Sequence, residues 1–364
     1  MQRIIDGNAL VYAEGAYNTP NGKTAHGLVR FTERYKVLGV IDSTYKGRDA
    51  GEVLDNRKNG IPIFENLESA LSSLASEKPR YFVIGLAPDG GRLSPQAKEE
   101  VRKALEHGLN VDSGLHDFLY KDAGFVALAL KNGVSIRDIR KTPDRDGLHF
   151  FSGKIEEVDC LKIAVLGTDS AVGKRTTSWI LTHAFRNVGL KAEMIGTGQT
   201  AWMQGAKYSM VMDSCINDFV SGEIEHAVHE AWKNEKPDLI MIEGQGSLMN
   251  PAYPGGFEIL AAGRPDFVIL QHAPKRLEYD GFPGYKLHSI QEQISAIEMI
   301  SGKKVIALTL NHELMEPFEI EPACAALKYE TGLPTFDVLA HGAEGLVKLL
   351  ESLLKRSDSK IFKF

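Results

Sequence analysis

Residues 162 to 177 read KIAVLGTDSAVGKRTT, an apolar run that enters a glycine-rich turn and leaves it as a helical pattern. Strand, loop and helix in that order is the context in which a loop cradles phosphates. Gly167 and Gly173 let the backbone wrap so that its N–H groups face inward. The helix N-terminus adds partial positive charge, and Lys174 reaches the outer phosphates. The spacing departs from the standard loop, because Thr168 and not a glycine lies five residues before Gly173. Arg175 also follows the lysine where a magnesium-binding Ser or Thr would stand. Cofactor contact is therefore expected from Gly167, Thr168, Asp169, Ser170, Ala171, Val172, Gly173, Lys174, Arg175 and Thr176. Thr176 or Thr177 would have to replace the missing magnesium ligand.

The same alternation extends along the chain. From residue 8, the runs NALVYA, KVLGVID and YFVIGLA alternate with KTAHGLVRFTERY, LESALSSLA and QAKEEVRKALEHGL. Short β-rich runs ended by Gly, Asp or Pro and separated by helices predict parallel βαβ units, hence a Rossmann-like domain over residues 1–150. Its last stretch, from about 131 to 160, is polar, basic and poor in periodicity, which marks an interdomain connection. A second α/β domain over 151–364 starts with CLKIAVLG. It continues through KAEMIGTG, PDLIMIEG, DFVILQHA and KKVIALTLN, with EIEHAVHEAWKN and IQEQISAIEMIS as helices. The expected fold class is α/β, a Rossmann-like parallel sheet followed by a P-loop NTPase-like parallel sheet. LVKLLESLLKRSDSK reads as an amphipathic capping helix whose basic end suits its own dipole.

A chain of 364 residues with 43% hydrophobic content can bury two such cores. Its formal net charge of -6 offers no footprint for nucleic acid or an anionic membrane, so a small-molecule substrate is expected. Cys160, Cys215 and Cys324 form no CxxC pair, which suggests neither a disulfide framework nor a zinc site. The N-terminus lacks a signal pattern, and no apolar stretch reaches the roughly 18 residues of a membrane span. A cytoplasmic, homo-oligomeric enzyme is expected.

Further candidates come from strand ends, which face the ligand crevice of an open α/β sheet. Glu243 closes PDLIMIEG, followed by Gly244, Gly246 and Ser247, and Asn311 closes VIALTLN. IGTGQTAWMQG offers Thr197, Gln199 and Thr200 for a substrate or terminal phosphate. Asp213 and Asp218 precede a helix, where an acid either caps N–H groups or, for Asp213, meets a metal or substrate. In the first domain, AEGAYNTPNGKTAHGLVR contains a second GK pair without the GxGxxG fingerprint, and Asp42 stands where a ribose-binding acid would. Lys23, Thr24 and Arg30 could still hold an anionic group. His116 can serve as a base. Arg137, Arg140 and Lys141 form either a carboxylate clamp or a solvated linker.

GTD…VGK and the Glu243 segment resemble the loop and EGAGG segment of dethiobiotin synthetase and related ATP-dependent carboxylate-activating enzymes. That resemblance implies Mg-ATP, with Thr176, Asp213 and Glu243 toward the metal and Asn311 toward a purine. A broader resemblance covers nearly the whole chain through AEGAYN, KTAHGL, GVID, IPIFENL, IGLAPDGG, VDSGLHDFL, IRDIRK, GTDSAVGKRTT, GTGQTAWMQG, DFVSGEIEHAV, IEGQGS and LTLNHE. These segments resemble the two-domain P-loop family, formerly of unknown function, that includes D-glutamate N-acetyltransferases. The family's own loop carries GKRTT, so Arg175 fits its pattern.

The family resemblance implies acetyl transfer from acetyl-CoA to the amino group of D-glutamate or a similar amino acid, with CoA phosphates in the loop. Glu243 or His116 would be the base and Lys174 would act at the catalytic centre. Backbone N–H groups of 244–247 would serve the oxyanion, while Arg137, Arg140, Gln199, Thr200 and Lys23 would hold the substrate. The alternatives left open are an ATP- and magnesium-dependent ligase or kinase acting on a carboxylate, and a nucleotide-dependent regulator without turnover.

Overall fold

A computed structural model describes residues 4–74 and 76–361, excepting the side chains of 89 and 355–361. The chain divides into two compact units, Met1–Thr142 with Gln199–Ala206, and Pro143–Gly198 with Lys207–Phe364.

The first unit is built on β1 (Gly7–Tyr12), β2 (Tyr35–Ile41), β3 (Ile63–Phe64), β4 (Tyr81–Ile84), β5 (Asn110–Ser113) and β6 (Ile136–Asp138). They form one sheet in the order β3-β2-β1-β4-β5-β6, parallel at every pairing. This is the Rossmann strand order, with its reversal between β1 and β4. Strands buried on both faces read as continuous apolar runs, and LVYA and FVI do so because helices cover both sides. Two clusters result, one around Leu10, Phe82 and Val101 and the other around Val11, Leu28 and Val40. The helix Lys23–Arg30 stops five residues earlier than its apolar pattern, at Phe31, whose backbone is already extended. The stretch read as a connection supplies β6, a three-residue strand too short to show a period of two. Its register sets Arg137 opposite Asp112.

The segment Gln199–Ala206 belongs to this first unit, although the sequence around it forms the second. Residues Gln199–Met203 are helical. The segment is held by backbone as much as by side chains. Gln204 donates through Nε2 to Gly27 O and Phe31 O, both at 2.9 Å, while Glu33 N donates to Gln204 O at 2.8 Å. The Arg34 guanidinium lies 3.7 Å from the centre of the Trp202 ring, a cation–π contact.

The second unit contains β7 (Leu161–Gly167), β8 (Ala192–Gly196), β9 (Tyr208–Ser209), β10 (Leu239–Glu243), β11 (Phe267–His272), β12 (Lys304–Leu310) and β13 (Thr335–Phe336). Its sheet runs β13-β12-β11-β7-β10-β8-β9, again all parallel. β7 is central and buried along its length, so the loop after it opens between the ends of β10 and β11. The helix containing EIEHAVHEAWKN begins earlier, at Asn217, with Asp218 inside its first turn and no side chain capping its start. The last helix spans Glu344–Ile361, but the side chains of its basic end lie outside the described residues.

Cys160, Cys215 and Cys324 are free and partly buried. Burial pushes all three thiols up, Cys160 to about 12 and the others to about 11. Among the described residues no helix is long and apolar enough to cross a membrane.

Candidate active site

The loop after β7 wraps with Ala171 at φ +55° and Gly173 at φ +105°. The second value lies where a side chain is strained, so glycine is needed there. The helix Lys174–Asn187 follows, and no side chain caps its N-terminus. An uncapped first turn of a 14-residue helix directs its N–H groups and dipole at whatever the loop encloses. Lys174 is 6% exposed, and its Nζ donates to Asp169 O at 2.6 Å and Gly246 O at 2.7 Å. The ammonium thus bridges the phosphate loop and the turn after β10.

That turn is equally tight. A side chain at Gly244 would meet Val165 O at 2.4 Å, and one at Gly246 would meet Tyr253 O at 1.9 Å. Glu243, the last residue of β10, is 3% exposed and accepts Thr197 N at 2.8 Å and Thr197 Oγ1 at 3.3 Å through Oε2. Complete burial pushes its carboxyl above the usual carboxylate range, against the pull of the Arg175 and Lys174 charges and the Thr197 hydrogen bonds. A buried carboxyl whose charge is opposed by desolvation and favoured by nearby cations is a candidate for proton transfer. The Ser247 hydroxyl, in the same turn, is buried with no hydrogen-bond partner among the described residues. Asp213 is exposed, one residue from Met212, whose N–H donates to Thr197 O at 3.0 Å.

The loop is held by partners that no motif marks, Asn250, Arg276, Asp280, Gln271 and His272. Asp169 is fully buried and spends both oxygens within the protein. Oδ1 accepts from Ser170 N (2.7 Å) and Asn250 Nδ2 (2.8 Å), and Oδ2 accepts from an Arg276 terminal nitrogen (2.9 Å) and Asp280 N (2.8 Å). Gln271, near the end of β11, accepts the hydroxyls of Thr177 and Thr309 at 2.6 Å each through Oε1. Thr177 is thereby committed, and Thr176 is the half-buried hydroxyl of the first turn. Thr168 lies fully buried, 3.0 Å from His272 Nδ1 through its hydroxyl, and burial with the Arg276 charge pushes His272 down to about 4. Asn311 donates through Nδ2 to Val172 O at 2.9 Å, which ties the loop to the end of β12. One signal was available for Gln271: it is a polar residue close to the end of an otherwise apolar strand. Arg276 and Asn250 carry none beyond proximity to such ends.

The second unit therefore gathers Gly167–Thr176, Glu243 and Asn311 around the loop. The second unit also holds Thr197, Asp213 and Asp218, while Lys23, His116, Arg137, Arg140, Gln199 and Thr200 belong to the first unit. Arg137 forks onto buried Asp112 at 2.6 and 2.5 Å and reaches Asp6 at 2.8 Å, so its donors serve an internal ion pair. Arg140 Nε donates to Gly114 O at 2.6 Å. Thr200 and Thr24 share a hydroxyl–hydroxyl bond of 3.1 Å, both buried, and Gln199 packs on Gly114. Lys23 is exposed at the start of its helix, and His116 is exposed with its N–H on Gly91 O at 3.1 Å. Asp42, the expected ribose acid, is fully buried and accepts the Tyr17 and Thr44 N–H groups.

Fold and loop together define a two-domain α/β protein with a Rossmann-like sheet and a P-loop sheet. Family models agree on both halves. Residues 43–142 match the Rossmann-like domain of unknown function DUF1611_N, and residues 149–347 match the P-loop domain of unknown function DUF1611_C. The chain belongs to the DUF1611 family. It is 29% identical over 296 residues to a D-glutamate N-acetyltransferase of Tritonibacter scottomollicae, covering 79% of this chain and 85% of that protein. A D-glutamate N-acetyltransferase of a Pseudoalteromonas species is 28% identical over 297 residues, with 79% and 87% covered. A crystal structure of a DUF1611 family protein from Anabaena variabilis superposes with a TM-score of 0.87 at 29% identity, covering 95% of this chain and 99% of that one.

Proposed function

We propose that the protein is an N-acetyltransferase that moves the acetyl group of acetyl-CoA to the amino group of D-glutamate or a similar amino acid. The observation that carries this reading is the pairing of an uncapped phosphate loop with a buried carboxyl, Glu243, beside Lys174 and Arg175. Similarity over 79% of the chain to proteins named D-glutamate N-acetyltransferase supplies the chemistry.

The loop suits the phosphates of CoA, with backbone N–H groups of 171–176 and the Lys174 ammonium as donors and Arg175 as an added cation. Acetyl-CoA would contribute an activated thioester. Glu243, ionised, takes a proton from the substrate ammonium so that the nitrogen lone pair becomes available. In the glycine-rich turn the N–H groups of Gly244 and Ser247 are committed to Val165 O at 3.0 Å and Tyr253 O at 3.3 Å, so those of Gln245 and Gly246 are the candidates for stabilising the developing oxyanion. As the C–N bond forms and the C–S bond breaks, CoA leaves as thiolate and the nitrogen sheds its second proton; of the two protons lost by the nitrogen, one reaches the thiolate by way of Glu243 and the other passes to solvent.

The test is release of CoA thiol from acetyl-CoA and D-glutamate with EDTA present. Turnover by the wild type, lost at least about 100-fold in Lys174→Ala, is the expected result. ADP release from Mg-ATP with a carboxylate, and no thiol release with any D- or L-amino acid, would instead establish the ligase reading, in which Thr176, Asp213 and Glu243 serve magnesium.

A further inference from the structure

Thr197 stands one residue past the end of β8, where its sequence context suggests contact with a substrate or a terminal phosphate. It is 1% exposed, and its polar groups serve the second unit itself. Its carbonyl accepts Met212 N at 3.0 Å, and its own N–H donates to Glu243 Oε2 at 2.8 Å. Its hydroxyl lies 3.0 Å from Glu243 O and 3.3 Å from Glu243 Oε2, so one residue holds both the main chain and the side chain of Glu243. β8 and β10 pair in parallel with Ile195 opposite Ile242, which brings the residues that follow on the two strands within reach of each other.

This grip makes the two carboxylate oxygens of Glu243 different. Oε2 takes both hydrogen bonds, and Oε1 accepts none from the described residues. Lys174 and Arg175 act on the carboxylate through their charge, while the Lys174 ammonium donates to Asp169 O and Gly246 O. A glutamate side chain is long and flexible, and a general base works only within hydrogen-bond reach of the proton it takes. Threonine suits the task of holding it. Its branched Cβ restricts χ1, so the hydroxyl stays where the strand end places it. Burial raises the Glu243 carboxyl, and the Thr197 hydrogen bonds oppose that rise by favouring the charged form.

We infer that Thr197 is the positioning residue of the site: it fixes Glu243 through Oε2 and leaves Oε1 to take the proton from the substrate ammonium. The inference rests on Glu243 being the base of the proposed reaction. A hydroxyl that donates to a carboxylate stabilises its ionised form. Removing the Thr197 hydroxyl should therefore raise the pH at which Glu243 ionises and leave less of the active base at neutral pH. A threonine with a structural role alone would change stability and leave that titration where it is.

The experiment is an infrared pH titration of the full chain, following the protonated-carboxyl band that is lost in Glu243→Gln, together with the pH profile of thiol release. Wild type, Thr197→Val and Thr197→Ser are compared. Valine keeps the branched shape and lacks the hydroxyl. Thr197→Val should raise the infrared midpoint by about one pH unit and move the acidic limb of kcat/KM the same way. KM for acetyl-CoA should change by less than about twofold, and Thr197→Ser should restore the wild-type titration. If Thr197→Val does not fold, Thr197→Ala carries the same expectation. The inference is overturned if the hydroxyl-free variant keeps the wild-type midpoint, or if Thr197→Ser titrates like Thr197→Val. Absence of thiol release by the wild type at every pH would sink the acetyltransferase reading separately, because the infrared midpoint is measured without turnover and still decides whether Thr197 controls Glu243.

Discussion

Glu243 shows how one position can weigh against the fold and serve chemistry. Its carboxyl is raised above the ordinary value of 4.5 by burial. A raised folded value means that its stabilising contribution is complete at pH below the unfolded value and is lost as pH rises through the folded one. Above the ordinary carboxylate range, burial of the charged form therefore opposes folding. We predict that Glu243→Gln melts at or above the wild-type temperature at pH 8 and gains no such advantage at pH 4. Its kcat should fall about 100- to 10,000-fold, and the wild-type rise in rate with pH should disappear. Opposite signs for stability and activity, read by melting curves and pH–rate profiles, separate a base from a structural residue. Glu243 and Lys174 were legible because each stands at a strand or helix end flanked by glycine. Asp169 was legible only as a member of the loop. Its anchoring partners Asn250, Arg276 and Asp280 lie 81, 107 and 111 residues away, and no local pattern encodes such pairs. Arg137 is similar, since the Asp6 that helps to occupy it lies 131 residues away.

At the scale of elements, the phosphate loop and the turn after β10 form one device, joined by the Lys174 ammonium on Gly246 O. Gly246 combines φ +53° with a neighbour, Tyr253 O, 1.9 Å from where a side chain would begin. Gly246→Ala should therefore cost about 2 kcal/mol or more and weaken acetyl-CoA binding, measured by melting and calorimetry. Gly189, at φ +89° with open space around it, is the control. Gly189→Ala should cost about 1 kcal/mol and leave binding unchanged. Long strands were readable because both faces are buried and the apolar run is continuous. β3, β9 and β13 have two residues each and β6 has three, which is too few to carry a period. Pairing alone makes them strands.

At the scale of the molecule, the first unit is completed by Gln199–Ala206. Met203 is fully buried in its core and Gln204 caps two carbonyls of residues 27 and 31. Residues 1–142 produced alone should lack that stabilisation, because a lost buried side chain and its hydrogen bonds together cost several kcal/mol, about 3 to 5. We expect the fragment to melt well below the intact chain by circular dichroism, and to be rescued when 199–206 is joined to it by a flexible linker.

Apolar runs punctuated by Gly, Asp and Pro determined that this chain forms parallel α/β units, and GTDSAVGKRTT determined that one of them carries an anion-binding loop. These are local properties, set by backbone conformation and by which faces must be buried. Only the tertiary structure decided that Asp169 anchors the loop, that Arg137 is paired with Asp112, and that residues 199–206 complete the first unit. Each of those depends on charges and hydrogen bonds between residues distant in the chain, whose energies exist only once folding has brought the partners within reach.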